Sequence, residues 1–323
     1  MVGHASEVAA EDPTMTERPS RGDIESAAVR LRGKVRRTPV LELHGDELGV
    51  PARVVLKLEL TQHTGSFKAR GALNSVLSLD PGATGVVAAS GGNHGTAVAW
   101  AAKRGGVEAD IFVPDHAPQA KVDQIRAQHA KVHLVGGFVR DALDAAMKLA
   151  ADTGATFIHP YDQFNTVAGA GTVGLEIELQ VPDVHRVLVA CGGGGLYAGL
   201  ATALSGVVPV TPVEPTACPS LASAVEAGAP VQVEVGGVAV DSLGAGTAGS
   251  LALACAQSAG VVVPLVSDDD IVSARKWLWQ RCRVLAEPGA CTPLAALMAG
   301  AVTVHPGDTV VVVVSGGNDP RIP

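Results

Sequence analysis

One lysine in this chain follows a turn and opens a helix-like run, in the segment Thr64-Gly65-Ser66-Phe67-Lys68. A positive charge at the N-terminus of a helix opposes the helix dipole, so an ordinary charged lysine is disfavoured there. The same positive potential lowers the pKa of an amine and increases its neutral, nucleophilic form. Lys68 is therefore a candidate nucleophile or base, and the alternative is a solvated surface lysine. Lys57 closes an apolar run and lies in a different local setting.

Three glycine-rich segments each follow an apolar, strand-like run: residues 90–95 (SGGNHG), 192–195 (GGGG) and 315–318 (SGGN). Glycines let the backbone approach a ligand closely, and the first turn of a following helix binds anions, above all phosphate. In an open α/β sheet, ligands bind at the carboxyl ends of the strands. The alternatives are purely structural turns, or a dinucleotide site with Gly193-x-Gly195-x-x-x-Gly199 and Glu214 as the ribose acid.

The elements that must position these segments alternate along the chain. Short apolar runs are typical of buried parallel strands, and Ala-rich stretches between them have helical spacing. The predicted strands are 54–56, 85–89, 110–113, 132–135, 186–190 and 309–314, and the predicted helices are 96–103, 120–129, 140–151 and 172–179. We therefore predict an α/β fold of two open, twisted, mostly parallel sheets flanked by helices.

The chain is long enough for two domains that share an interface. We predict a small domain at 80–155, inserted into a large domain formed by 23–79 and 156–323, with the ligand in the cleft between them. A simple division into two halves is the alternative. Residues 1–22 are polar, small and contain proline, which predicts a disordered tail.

Composition excludes several classes of protein. A net charge of −8 leaves no basic stripe for nucleic acid, and no apolar run has membrane-spanning length. The N-terminus lacks the pattern of a secretory signal. Five scattered cysteines without a CxxC pair argue against a disulfide framework or a zinc site. We expect a cytoplasmic protein with a small-molecule substrate.

Together these segments resemble the serine/threonine dehydratase group of pyridoxal-phosphate enzymes, which has the tryptophan synthase β-subunit fold (fold type II). The resemblance covers nearly the whole chain, from about Ile24 to Asp319, with the motifs in the family's order. The matching segments are Arg37-Thr38-Pro39-Val40, Lys57-Leu58-Glu59-Leu60-Thr61-Gln62, Gly65-Ser66-Phe67-Lys68-Ala69-Arg70-Gly71-Ala72, residues 90–95, His159-Pro160-Tyr161-Asp162, residues 169–172, the tetraglycine, Glu287-Pro288 and residues 315–318.

The resemblance implies a role for each residue around a pyridoxal 5'-phosphate cofactor. Lys68 holds the cofactor as a Schiff base and acts as the base on the substrate α-hydrogen, with Phe67 beside the ring. Asn93 bonds the 3-hydroxyl of the ring, and Ser315 bonds its pyridine nitrogen. The phosphate is cradled by Gly192, Gly193, Gly194 and Gly195. The substrate is bound by the loop of Ser90, Gly91, Gly92 and His94.

Two departures from the family pattern concern chemistry. Racemases of the group carry a serine as second base where this chain has Gly91, so we expect elimination without efficient racemisation. Some relatives bind a divalent cation through a glutamate and an aspartate six residues later. Here Glu214 is present but Ser220 takes the second place, so no metal site is expected, and a structural polar role for Glu214 is the alternative.

Three further departures concern segments that we expect beside the substrate side chain. The usual Gly-Gln-Gly-Thr is Gly169-Ala170-Gly171-Thr172, the usual Glu-Pro-Ser-Gly-Ala is Glu287-Pro288-Gly289-Ala290-Cys291, and the usual Asp-Gly-Leu is Asp241-Ser242-Leu243. His159 is expected to be structural. The resemblance implies a lyase that converts serine, threonine or an analogue to a 2-oxo acid and ammonia, and a homodimer. A β-replacement synthase, a racemase and a non-catalytic cofactor-binding protein are the alternatives.

Overall fold

The computed structural model describes residues 17–43, 45–137, 139–319 and 321–323. Within these ranges the strands are β1 (Val40–Leu43), β2 (Arg53–Lys57), β3 (Val86–Ala89), β4 (Ala109–Pro114), β5 (Lys131–Val135), β6 (Thr156–Phe157), β7 (Arg186–Ala190), β8 (Val210–Pro215), β9 (Leu265–Val266) and β10 (Thr309–Val313). The α-helices are α1 (Arg21–Leu31), α2 (Gly45–Leu48), α3 (Lys68–Leu77), α4 (Asn93–Gly105), α5 (Gln119–Arg126), α6 (Val139–Thr153), α7 (Phe164–Gln180), α8 (Gly195–Ala203), α9 (Ser220–Ala227), α10 (Val240–Leu243), α11 (Ser250–Ala259), α12 (Asp268–Trp277) and α13 (Pro288–Met298).

The strands form two sheets, which confirms the predicted fold class. The larger sheet has the order β1-β2-β10-β7-β8-β9, and the smaller has the order β5-β4-β3-β6. Among the described strands only β1 and β2 pair antiparallel, and every other pairing is parallel. No helix within these described ranges combines the length and the apolarity needed to cross a membrane.

Strand β10, with four consecutive valines (Val310–Val313), shows why the central strands are so apolar. Val311 and Val313 pack on one face of the larger sheet, in a core shared with α7, α8 and α11. Val310 and Val312 pack on the opposite face, with α12 and α13. Because helices cover both faces, every position of the strand is buried and none favours a polar residue.

The smaller sheet comes from residues between Val86 and Phe157. Its last strand, β6, begins one residue beyond the predicted small-domain boundary at residue 155, yet it pairs with β3 and so belongs to the smaller sheet. The domain division itself stays a prediction. Of the predicted tail, residues 1–16 lie outside the described residues. Residues 21 and 22 are helical, contrary to that prediction, because Ser20 and Asp23 form a capping box that starts α1 at Arg21.

A buried ionic cluster fixes the start of α3 against its neighbours. The Arg70 guanidinium donates to both carboxylate oxygens of Glu59, at 2.7 and 2.8 Å, and to Glu176 Oε1 at 2.8 Å. Lys57 Nζ lies 2.6 Å from the second Glu176 oxygen. Lys57, Glu59 and Arg70 are fully buried. Two positive and two negative charges therefore compensate one another, as buried charges must.

Candidate active site

Lys68 is the first residue of α3, as the sequence predicts. Its Nζ donates to the carbonyl oxygen of Pro160 at 2.5 Å and lies 5.0 Å from the centre of the Phe67 ring. The backbone N–H of Phe67 donates to Ser315 O at 3.0 Å, and Ser66 forms a bridge with Gly316. The end of β10 therefore holds the turn that presents the lysine, and Phe67, Lys68 and Ser315 come together.

The surroundings of Lys68 favour its neutral form. Desolvation lowers the pKa of the amine to about 8, although the carboxylate of Glu287 opposes this shift. At pH 8 such an amine is about half unprotonated, whereas an ordinary lysine with a pKa of about 10.4 is almost fully charged. Lys68 can therefore act as a nucleophile or a base near neutral pH.

The tetraglycine follows β7 and leads into α8, where only glycine fits the available space. A Cβ atom on Gly193 would lie 2.2 Å from the Tyr161 ring, and one on Gly195 would lie 2.6 Å from Tyr161 O. A Cβ on Gly192 would lie 2.9 Å from Leu243 Cα, and Gly194 has a φ of +88°. The unpaired N–H groups of the first turn of α8 make this narrow loop suitable for a phosphate.

Asn93 belongs to a polar cluster that connects the asparagine loop with Glu287, Asn318 and the turn before Lys68. Its side-chain amide donates to both Glu287 oxygens at 2.9 and 3.1 Å, and its Oδ1 accepts from Asn318 at 2.7 Å. Asn318 also donates to Thr64 O at 2.8 Å, four residues before Lys68. Burial raises the pKa of Glu287, which lies among these neutral amides.

The asparagine loop lies at the carboxyl end of β3. Ser90 N–H donates to Phe112 O at 2.9 Å, and Gly92 N–H donates to Ser90 Oγ at 3.2 Å. Ser90, Gly91, Gly92 and Asn93 are all partly exposed. A Cβ on Gly91 would lie 2.9 Å from Val113 Cγ1, so a larger residue there requires Val113 to move.

Two histidines of the predicted motifs have structural contacts. His94 is buried and its Nε2 pairs with Ile158 O at 2.9 Å, and desolvation lowers its pKa to about 3. The ring points to the backbone of Ile158, and the charge of Lys68 also lowers its pKa. The substrate contact predicted for His94 stays a prediction. His159 Nδ1 accepts from the N–H groups of Tyr161 and Asp162, and burial lowers its pKa to about 4.

The Glu214 carboxylate caps the N-terminus of helix α9. Its two oxygens accept from Leu221 N–H at 2.8 Å and Ala222 N–H at 2.9 Å, at the start of α9. Burial raises the pKa of this carboxyl to about 7. Ser220 donates to Ala245 O. Both groups of the candidate cation site therefore have protein partners, and the described residues contain no cluster of metal-ligating side chains.

The segment 169–172 packs helices together and does not line the cleft as expected. A Cβ on Gly169 would lie 2.7 Å from Arg70 O, and one on Gly171 would lie 2.8 Å from Gly199 O. Ala170 is buried in the core of the larger sheet. These small residues therefore let α7 approach α3 and α8 closely, which explains their type without a role for substrate.

The sequence does not predict two contacts of the site. The Tyr161 ring packs against the tetraglycine, and Glu287 accepts hydrogen bonds from Asn93. Both lie in motifs that the family resemblance identified, but nothing in the local pattern indicates their contacts. The Tyr161 hydroxyl donates to Thr247 O at 3.1 Å, which fixes the ring against the glycines. Asp162 accepts from Ser250 and Leu251 N–H at 2.9 and 3.0 Å and holds the start of α11 beside the loop.

Two mostly parallel sheets carry a lysine at a helix start, bonded to Pro160 O, and a glycine loop packed on the adjacent Tyr161. This arrangement is that of the fold-type II class. Over residues 31–316 the chain matches the family described as "Pyridoxal-phosphate dependent enzyme". The chain belongs to this family.

Characterised relatives share most of its length. The chain is 39% identical to the L-threonine ammonia-lyase of Geobacter sulfurreducens over 302 residues, which is 91% of this chain and 74% of the relative. Among solved structures it resembles a threonine deaminase from T.th., with a TM-score of 0.87 and 35% identity over 94% of this chain and all of that one. Maize serine racemase gives a TM-score of 0.88 and 30% identity over 94% of each chain.

The described residues fit the cofactor of this family. The tetraglycine exposes backbone N–H groups without side chains at the start of α8, as a phosphate-binding loop requires, and the Lys68 amine has the lowered pKa that attack on an aldehyde requires. The Ser66 hydroxyl, two residues before Lys68, is buried without a partner among the described residues.

Proposed function

We propose that the protein is a pyridoxal-phosphate-dependent ammonia-lyase that removes the β-hydroxyl of L-threonine or L-serine and yields a 2-oxo acid and ammonia. The observation that carries the proposal is the position of the Lys68 amine at the start of α3, bonded to Pro160 O next to Tyr161, whose ring packs on the tetraglycine. The named activities of the relatives support the same reaction class.

Different residues around Lys68 bind the cofactor phosphate, the cofactor ring and the substrate. Gly192, Gly193, Gly194 and Gly195 hold the cofactor phosphate, Lys68 binds its aldehyde carbon, and Asn93 and Ser315 position its ring. The bound cofactor supplies an electron-withdrawing ring that stabilises negative charge at the substrate α-carbon. The partly exposed loop of Ser90, Gly91 and Gly92 binds the substrate carboxylate.

Lys68 also moves the proton. With substrate and cofactor bound, the Lys68 amine would be the base that accepts the substrate α-hydrogen. Its lowered pKa keeps it unprotonated near neutral pH. Ser315 cannot protonate a pyridine nitrogen as a carboxylic acid would, so the ring withdraws electrons less strongly. Early loss of the β-hydroxyl then suits this site better than a long-lived carbanion.

The serine racemase likeness makes racemisation the second candidate. Racemisation needs a proton donor on the second face of the α-carbon, and Gly91 has no side chain to provide one. With purified holoenzyme and L-serine, we expect pyruvate to exceed D-serine by at least about tenfold, since a positioned acid or base contributes about 10²–10⁴-fold. Chiral chromatography and a pyruvate assay on one sample measure this ratio. D-serine formed as fast as pyruvate would refute elimination as the main reaction.

The pKa of Lys68 predicts how the apoprotein captures its cofactor. Only the neutral amine attacks the aldehyde, so the rate of covalent capture should rise with pH and level off above about pH 8. An ordinary lysine would give a midpoint near pH 10.4. Stopped-flow absorbance after mixing apoprotein with pyridoxal phosphate at a series of pH values measures the midpoint. A midpoint near 10 would contradict a desolvated amine.

Several expectations remain proposals. The substrate contact of His94 and the structural role of His159 remain predictions, and the backbone contacts of His159 support its structural role. The insertion of a small domain at 80–155, the homodimer, the lack of a nucleic-acid partner and the cytoplasmic location remain predictions from the sequence.

A further inference from the structure

Asn318, in the segment after β10, lies against the turn that presents Lys68. Its side-chain amide donates to Thr64 O at 2.8 Å. A Cβ on Gly65 would lie 2.2 Å from Asn318 Oδ1, so a larger residue in the turn would displace the amide. The N–H of Gly317 donates to Gly65 O at 3.0 Å. One side-chain and one backbone hydrogen bond therefore join this segment to the turn.

Thr64 adopts a backbone conformation that threonine disfavours. Its φ is +62° and its ψ is +11°, in the left-handed region, where β-branched residues are rare. A residue stays in such a conformation only when its surroundings hold it there. The hydrogen bond from Asn318 to the Thr64 carbonyl is one of the contacts that hold it, four residues before Lys68.

The same Asn318 amide fixes the orientation of Asn93. A backbone carbonyl can only accept, so Asn318 must turn its NH₂ group toward Thr64 O. The other N–H of that group donates to Asn93 Oδ1 at 2.7 Å. Because its oxygen faces Asn318, Asn93 directs its own NH₂ group toward Glu287. The direction of this series of hydrogen bonds is therefore set at the Thr64 carbonyl.

Glu287 does not fix this orientation by itself. Burial raises the pKa of its carboxyl, and a protonated carboxyl can donate as well as accept. Glu287 can therefore satisfy either end of the Asn93 amide, whereas Thr64 O, acting through Asn318, permits only one.

One N–H of Asn93 is left for a ligand. The amide nitrogen lies 2.9 and 3.1 Å from the two oxygens of Glu287. Two oxygens of one carboxylate are too close together to engage both N–H groups of one amide, which diverge widely, so they share one N–H. The second N–H has no acceptor in the part of the protein that the structure describes.

We propose that Asn318 is a positioning residue that acts through Asn93. By donating to Asn93 Oδ1, it keeps the free N–H of Asn93 directed at the 3-oxygen of the cofactor ring. This proposal rests on the function proposed above, because it requires the cofactor to bind beside Asn93. Without the Asn318 amide, the Asn93 amide can turn over, and the site should lose part of its preference for a ring that carries the 3-hydroxyl.

The test compares two cofactors that differ only at this oxygen. Pyridoxal phosphate and its 3-deoxy analogue carry the same aldehyde and phosphate, so the ratio of their Kd values reports the contacts of the 3-hydroxyl. Titration of the apoprotein, followed by cofactor absorbance, measures both. The parent should favour pyridoxal phosphate about tenfold more than Asn93→Ala does, and Asn318→Leu should lower the preference of the parent by about threefold or more, as loss of one hydrogen bond predicts.

A double-variant cycle shows whether Asn318 acts through Asn93. Asn318→Leu should lower the preference in the parent but not in Asn93→Ala, because no amide is left to orient. Asn74→Leu is the matched control. Asn74 is a buried asparagine of α3 whose amide also donates to a backbone carbonyl, Asn165 O, at 2.8 Å, and accepts from Arg30. Its replacement should lower the melting temperature but leave the cofactor preference unchanged.

Two outcomes would overturn the proposal. One is an Asn318→Leu preference within twofold of the parent, and the other is an equal fall in the parent and in Asn93→Ala, which indicates general damage to the site. Asn318→Ala removes the same donors with a smaller side chain and takes the place of Asn318→Leu if that variant does not fold. Both Kd values are measured without turnover, so this proposal can fail while 2-oxo acid release from L-threonine stands, and it can hold in a protein that releases none.

Discussion

Lys68→Ala is expected to lower the rate of 2-oxo acid release by at least about 10⁴-fold, because one change removes both the covalent anchor and the base. The glycine cradle stays intact, so the variant should still bind pyridoxal phosphate, but without a covalent bond. Borohydride treatment followed by mass spectrometry checks this directly. The parent should gain the mass of the reduced cofactor on the peptide containing Lys68, and the variant should gain none.

The control for this change is Lys103→Ala, which removes an exposed lysine near the end of α4. It should leave both the rate and the covalent adduct unchanged. Added methylamine should restore part of the activity of Lys68→Ala if the loss is chemical and not a folding defect. A Lys68→Ala protein with a rate within tenfold of the parent would show that another group does the chemistry.

Gly193→Ala should give the second large effect, on cofactor affinity. The new Cβ would lie 2.2 Å from the Tyr161 ring, and the Tyr161 hydroxyl is held by Thr247 O. Overpacking of this kind costs about 1–3 kcal/mol. We expect the loop to relieve the clash by moving away from Tyr161 and so from its phosphate-binding position, which should raise the Kd for pyridoxal phosphate by about tenfold or more. Titration of the apoprotein with cofactor measures the change.

Gly82→Ala provides the matched control for this glycine. Nothing lies within 4 Å of a Cβ at Gly82, and its φ is not in the left-handed region. That variant should bind the cofactor as the parent does. An unchanged Kd for Gly193→Ala would mean that the phosphate lies elsewhere and that the tetraglycine serves only to pack Tyr161.

The parts of the fold that the sequence predicts are those with a repeated physical pattern. Strand β10 contains four consecutive valines because both faces of its sheet are covered. The loops after β3, β7 and β10 contain glycine because neighbouring protein atoms crowd the backbone there. Helix α7 begins at Phe164, well before the predicted start at residue 172. The sequence does not indicate its first two turns because residues 164–171 include glycines, which lower helix propensity.

Strand β8 (Val210–Pro215) was not predicted, because Pro212 lies inside it and proline removes a donor from a sheet. The structure shows why it is tolerated. Glu214 N–H donates to Pro264 O, toward β9, and Pro212 faces the same side. Strand β9 begins only at Leu265, which pairs with Glu214. Among the described residues no strand lies beside Pro212 on this side, so the N–H that proline lacks is not needed for a sheet hydrogen bond.

The contacts inside the site could not be predicted from any local pattern. Asn93 and Glu287 are 194 residues apart, and Asn93 and Asn318 are 225 apart. Only the packing of the two sheets brings them together.

The most direct test of the account is the product of the purified protein, loaded with pyridoxal phosphate, acting on L-threonine. We predict that 2-oxobutanoate and ammonia appear in equal amounts, and that Lys68→Ala forms neither. Failure of the loaded parent protein to release 2-oxo acid from both threonine and serine would contradict the proposed lyase. So would a protein that binds these amino acids and only inverts their α-carbon.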